Sequence, residues 1–92
     1  MADDGQGFTL AFIPDGWADF EWWLDQDRQT SKKVRRLVKE LLRHPCEGAG
    51  KPEQLRHQTG HNVWSRRITQ EHRLVYIVES SQITIIQARF HY

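Results

Sequence analysis

The chain has 92 residues and one cysteine, Cys46, so it holds one small domain and no intramolecular disulfide. No apolar run approaches the roughly 20 residues of a membrane helix and no signal-peptide pattern opens the chain, which makes a cytoplasmic protein with no membrane contact the expectation. The net charge of +1 is segregated: residues 1–30 hold seven acids and one base, residues 31–92 twelve bases and five acids, and such a basic part invites a nucleic acid or an acidic protein as partner.

Residues 1–7 are polar and glycine-containing and are expected to form a disordered N-terminal extension to a single domain over residues 8–92. Phe8–Ile13 reads as a short strand. Pro14 and Asp15 suit the first turn of a helix. Trp17, Phe20 and Leu24 follow at helical spacing, Trp22 and Trp23 widen the apolar stripe, and acids take the other face. The segment Gln29–Ser31 is predicted to break the pattern, with Thr30 or Ser31 capping a second helix. Val34, Leu37, Val38, Leu41 and Leu42 fit the i, i+3, i+4, i+7, i+8 template, and Lys32, Lys33, Arg35, Arg36, Lys39 and Arg43 fill the opposite face. Pro45 ends this helix, and the two helices should form an antiparallel hairpin. Cys46–Pro52 is a loop by its glycines and prolines. Strands are predicted at Gln54–His57, Asn62–Ile68, His72–Glu79 and Gln82–Tyr92, separated by Thr59-Gly60, Thr69–Glu71 and Ser80-Ser81. The expected architecture is α+β, β-α-α-β-β-β-β, with a two-helix hairpin packed on one face of a small, mainly antiparallel twisted sheet.

Strand alternation sorts the side chains of that sheet. A tight turn at 69–71 brings Arg67 beside Arg73, and Arg89 and His91 are expected on the same polar face. Neighbouring guanidinium groups repel unless something negative arrives. Glu53, Glu71 or Glu79 can neutralise them through salt bridges, and a phosphate can do so through bidentate contacts. Other motifs fail on inspection. Gly48–Lys51 is no phosphate loop, since the required first glycine falls at Pro45 and Pro52 replaces the serine or threonine. His44-x-Cys46 and His57-x-x-x-His61 supply too few donors of the right kind for a zinc finger, and Cys46 has no assigned histidine partner as a nucleophile. No metal and no cofactor is expected.

Three runs, PCEGAGKPEQLRH at 45–57, WSRRITQEHRLVY at 64–76 and the ending RFHY at 89–92, together resemble the YoeB (Txe) toxins of the RelE/ParE superfamily. The resemblance spans about residues 8–92. It implies the RelE-like α+β fold and a bacterial toxin of a type II toxin–antitoxin pair. Such a toxin enters the A site of the 70S ribosome, contacts 16S rRNA and cuts the messenger RNA there. The implied partner is a YefM-like antitoxin whose C-terminal segment blocks the site, and a homodimer is also compatible. Glu53 falls on the family's catalytic carboxylate, Arg73 on its catalytic arginine, His91 and Tyr92 on its terminal pair. Arg67 falls on a phosphate contact, and Lys51, Arg56, Arg66 and Arg89 are assigned to substrate binding. Arg56 stands where close relatives carry lysine and Cys46 where an aromatic is common. The 58–62 loop is slightly longer than theirs. The implied chemistry needs no metal: a carboxylate takes the proton of the RNA 2′-hydroxyl and an imidazolium protonates the leaving 5′-oxygen. Ordinary pKa values of about 4.3 and about 6.5 suit those roles near neutrality. The alternatives are a non-catalytic ParE-like toxin and an RNA-binding module that does not cleave.

Overall fold

The computed structural model describes residues 7–55 and 61–90. Its elements run β1 (Thr9–Phe12), α1 (Pro14–Gln26), α2 (Arg28–Arg43), β2 (Glu53–Gln54), β3 (Val63–Arg67), β4 (Arg73–Val78) and β5 (Gln82–Gln87), in the order expected. They form one five-stranded sheet in the order β1-β5-β4-β3-β2. β1 lies parallel to β5, and every other neighbouring pair is antiparallel. The helix hairpin therefore carries the chain from one sheet edge to the other and covers one face on the way. Among the described residues no helix is long and apolar enough to cross a membrane.

The buried stripe of α1 is not the expected one. Trp23 is 4% exposed, whereas Trp17 is 45% and Trp22 37% exposed. The cause is Gly16, which packs so close to β5 that a Cβ there would sit 2.5 Å from the Ile85 carbonyl oxygen. That contact turns positions 16, 20 and 23 toward the sheet and rotates Trp17 to the edge, where it packs against Phe12 and Phe20. The second helix also starts earlier than expected. Asp27 is its cap, accepting from the Thr30 amide (3.1 Å) and the Thr30 hydroxyl (2.8 Å), so 29–31 belong to α2 and do not break it. The hydrogen bond from the Thr30 hydroxyl, with that of its amide, holds the Asp27 carboxyl below the usual range. From there the predicted stripe holds: Val34, Leu37, Val38 and Leu41 are buried, and the six basic side chains opposite are exposed. The four buried side chains meet Leu74, Tyr76, Ile83 and Ile85 from the sheet in one apolar core.

Two strands are shorter than predicted. β2 is the pair Glu53–Gln54, and residues 56–57 of the predicted strand lie outside the described residues. β5 stops at Gln87, not Tyr92. Ala88 is taken out of the ladder by α1, its amide donating to Asp19 Oδ2 (2.9 Å) and its carbonyl accepting from Trp23 Nε1 (2.7 Å). A bulge opposite Val75 and Tyr76 prepares the exit, since Tyr76 pairs with Ile85 and Val75 with Gln87. Phe90 then bends the chain with φ of +66°. The expected 1–7 extension falls, but for Gly7, outside the described residues.

Candidate functional site

The loop before Glu53 is held by an arginine expected to bind substrate. Arg66 is fully buried. Its Nε donates to the Tyr76 hydroxyl (2.9 Å), Nη1 to the Ala49 carbonyl (2.9 Å), and Nη2 to the carbonyls of Glu47 (2.8 Å) and His44. The Tyr76 hydroxyl in turn donates to the Pro45 carbonyl at 2.7 Å. Burial pushes the Tyr76 phenol above its ordinary pKa, against the opposing pull of Arg66. With these donors spent inside the fold, Arg66 is a staple of the 44–49 loop and not a contact for substrate. The reason is strand alternation: Arg66 pairs with Leu74 on the helix side, Arg67 with Arg73 on the other.

The stapled loop feeds the sheet edge. Gly50 accepts from the Arg67 amide at 2.7 Å. Gly48, Gly50 and Lys51 all take positive φ (107°, 84° and 51°). Glu53 then pairs with Ser65, and Asn62 Oδ1 locks the pairing by accepting from Gln54 Nε2 (2.7 Å) and Trp64 Nε1 (2.9 Å). Partners directly opposite in an antiparallel pair share a face. Glu53 therefore lies on the side of Ser65, Arg67, Arg73 and Val75, away from the helices. With strands about 4.8 Å apart, the Arg67 and Arg73 backbones stand about 5 Å from each other, and that of Glu53 on the order of 10 Å from Arg73.

Among the described residues no carboxylate pairs with the arginines of this face. The one ion pair among the described residues is His44 Nδ1 to Glu47 Oε2 at 3.9 Å, so the salt bridges that Glu53, Glu71 and Glu79 could have offered are not made. Arg67 is exposed. Arg73 is half-buried and anchors one end of its guanidinium, Nη1, on the carbonyls of Thr69 (2.9 Å), His72 (3.1 Å) and Gln70 (3.2 Å). Beside Arg67 runs a groove of about 500 Å³ between α2 and the glycine loop, bordered by Lys33, Arg36, Lys51 and Arg67, with Glu40 as its acid.

Arg89 does not join this face. Its guanidinium lies over the Trp22 ring (3.8 Å to the centroid) and the Phe90 ring (4.5 Å), because the chain has already left β5 for α1. Arg56, His91 and Tyr92 lie outside the described residues. The Cys46 thiol is pushed above its ordinary pKa by partial burial, which opposes a thiolate role. Among the described residues no three His, Cys, Asp or Glu side chains gather into a ligand set. Sequence reasoning missed His72 and Gln87, whose side chains hold Phe90 and Arg89 through backbone atoms. No local pattern marks either as such.

Comparison with known proteins identifies the family and the fold. Residues 12–92 match the family model of the YoeB-like toxin of bacterial type II toxin–antitoxin systems. The toxin YoeB of Mycobacterium bovis is 47% identical over 84 residues, 91% of this chain and 98% of that protein. A solved YoeB/ParE toxin from Agrobacterium tumefaciens superposes with a TM-score of 0.85 at 40% identity, covering 92% of this chain and 100% of its own. A chain of the YoeB–YefM complex from Staphylococcus aureus does so with 0.79 at 37% identity, covering 92% and 98%.

Proposed function

The chain belongs to the YoeB-like toxin family of bacterial type II toxin–antitoxin systems, and on that premise we propose that it is a ribosome-dependent endoribonuclease that cuts messenger RNA in the A site. The observation that carries the reading is the helix-free sheet face where Glu53, Arg67 and Arg73 meet with no carboxylate paired to either arginine among the described residues. Two adjacent guanidinium groups with no paired carboxylate among the described residues favour an anion, and a phosphodiester supplies one.

In the proposed reaction the RNA's own 2′-oxygen attacks phosphorus while Glu53 takes its proton. The bond to the 5′-oxygen breaks, and His91 delivers a proton to that leaving oxygen. Arg73 and Arg67 stabilise the additional negative charge on the phosphorane. Tyr92 orients the substrate, and Lys51 and Arg56 hold the flanking backbone. The products are a 2′,3′-cyclic phosphate and a 5′-hydroxyl, reached without metal, and the site of action is the cytoplasm where ribosomes translate.

A basic groove that adjoins this face at Arg67 suits the antitoxin. The groove edged by Lys33, Arg36, Lys51 and Arg67 fits an acidic segment as well as it fits RNA, and the S. aureus relative is seen in complex with YefM. A YefM-like antitoxin would then exclude RNA by occupying its place.

Single-turnover cleavage on programmed ribosomes tests the mechanism. Glu53→Gln should slow it on the order of 10²–10⁴-fold. End-labelling should find 5′-hydroxyl products, and saturating antitoxin should abolish cutting. Products with 5′-phosphate, or a Glu53→Gln variant that cuts at the wild-type rate, would overturn the mechanism. A ternary complex with antitoxin that still cuts at full rate would overturn the shared surface.

A further inference from the structure

The residue beside the candidate arginine, His72, has no part in the mechanism just described, yet its ring is fixed on three sides. It meets Trp23 edge-on (centroids 4.9 Å, planes at 87°) and Phe90 at a tilt (5.7 Å, 45°). Its Nδ1 accepts the backbone N–H of Phe90 at 2.8 Å. An imidazole that accepts through Nδ1 carries its proton on Nε2. The bond thus fixes the tautomer of the ring as well as its place.

What that bond holds is a conformation the chain would not choose by itself. Phe90 has φ of +66°, a left-handed backbone that a non-glycine residue rarely adopts. Its side chain is 57% exposed, so burial does not secure it. Backbone bonds do: the amide to His72, and the carbonyl, which accepts from the Arg73 amide at 3.0 Å and from Gln87 Nε2 at 3.3 Å. His72 and Arg73 are consecutive, so one dipeptide grips both polar ends of Phe90. The direction in which residue 91 leaves is set by the dihedrals of residue 90.

We propose that His72 is a positioning residue of the proposed nuclease. Its imidazole latches the Phe90 amide, and the latch fixes the backbone from which the chain continues to His91 and Tyr92, the residues given the acid and orienting roles in the proposed reaction. His72 itself touches no RNA in this scheme. The proposal rests on the nuclease reading for its consequence, but the latch is a property of the free protein.

Three variants separate the acceptor from the ring. In His72→Asn the amide oxygen takes nearly the place of Nδ1, so the acceptor survives while the ring is lost. In His72→Phe the ring contact with Trp23 survives while the acceptor is lost. His72→Ala removes both without adding volume and serves should the phenyl ring prove too large. Each is measured by single-turnover cleavage at saturating ribosomes, by the ribosome concentration for half-maximal rate, by thermal unfolding, and by amide hydrogen exchange at Phe90. Asparagine should retain the maximal rate within about threefold and keep the Phe90 amide protected. Phenylalanine and alanine should lose the maximal rate by about 10²-fold, the scale of a 1 Å misplacement. Their half-saturating concentration and melting temperature should change little, and exchange at Phe90 should become fast. A rate in His72→Phe equal to wild type, or a rate in His72→Asn as low as in His72→Ala, would overturn the proposal. If the wild type does not cut on programmed ribosomes, the nuclease reading fails instead. The exchange measurement still decides the latch in that case, and an unchanged Phe90 rate in His72→Ala would refute it.

Discussion

Arg66 and Arg67 are adjacent in sequence and opposite in use. Strand alternation sends the first into the core and the second to the open face. The buried guanidinium is matched by four neutral oxygens, those of Tyr76, Ala49, Glu47 and His44. Arg66→Met should therefore cost roughly 3 kcal/mol or more, because it leaves buried acceptors without donors. Urea titration gives that figure, and a loss under 1 kcal/mol would show that the staple is dispensable. Tyr76 gives a pH signature to the same network. Its pKa is raised in the fold, chiefly by burial, so the stability its protonated form contributes is complete below about 10 and is lost as pH rises through the folded value. Tyr76→Phe should be less stable at neutral pH, having no hydroxyl for Arg66 and Pro45. Its stability should also fall less steeply above pH 10 than that of the wild type. Parallel alkaline limbs for the two proteins would remove Tyr76 as the cause.

Between elements, the contact of α1 with β5 decides most of the geometry near the chain end. Gly16 sets how closely the helix approaches, and Trp23 and Asp19 on the same helix take the carbonyl and amide of Ala88 away from the strand ladder. A methyl group at position 16 would meet the Ile85 carbonyl, which is backbone and cannot swing aside. Gly16→Ala is expected to destabilise by about 1–3 kcal/mol, an overpacking cost that outweighs the helix-propensity gain of about 1 kcal/mol. The measurement is the denaturant midpoint; a variant at least as stable as the parent would mean that α1 can lift off β5 freely. Because the shift would move Ala88, cleavage should fall further than the stability loss explains.

Across the whole molecule, the described acids of the first third sit on α1 and at the Asp27 cap, while the basic remainder supplies α2 and the sheet face. The helix side of the sheet is core, and on the other side Val63, Ser65 and Val75 are buried while Arg67 stays exposed. Residues up to Ala88 are tied to α1 and to the core, so removing the last two residues should spare the fold. The truncated protein lacking His91 and Tyr92 is expected to unfold within a few degrees of the parent and to lose cleavage on the order of 10²–10⁴-fold, the usual contribution of a general acid. Near-parental cleavage by the folded, truncated protein would falsify the role given to His91. Loss of folding would shift the test to His91→Gln.

The amino-acid pattern alone settles the element order, the stripe of α2, the two hairpins of β3, β4 and β5, and the register that sets Arg67 beside Arg73. These are relations between residues two to seven positions apart, or across a turn, and side-chain periodicity reports them directly. The motifs at 45–57 and 64–76 identify the family for the same reason, as contiguous runs. The pattern is silent on which aromatics of α1 enter the core, on the end of β5 at Gln87, on the burial of Arg66 and on the stacking of Arg89 over Trp22. Each depends on what arrives from elsewhere in the chain. Trp23 reaches Ala88 across 65 positions, Arg66 reaches His44 across 22 and Phe90 reaches His72 across 18. A period of 2.0 or 3.6 tells which side chains share a face. Only packing decides what covers that face, and hence whether an arginine becomes a staple or stays open to a phosphate.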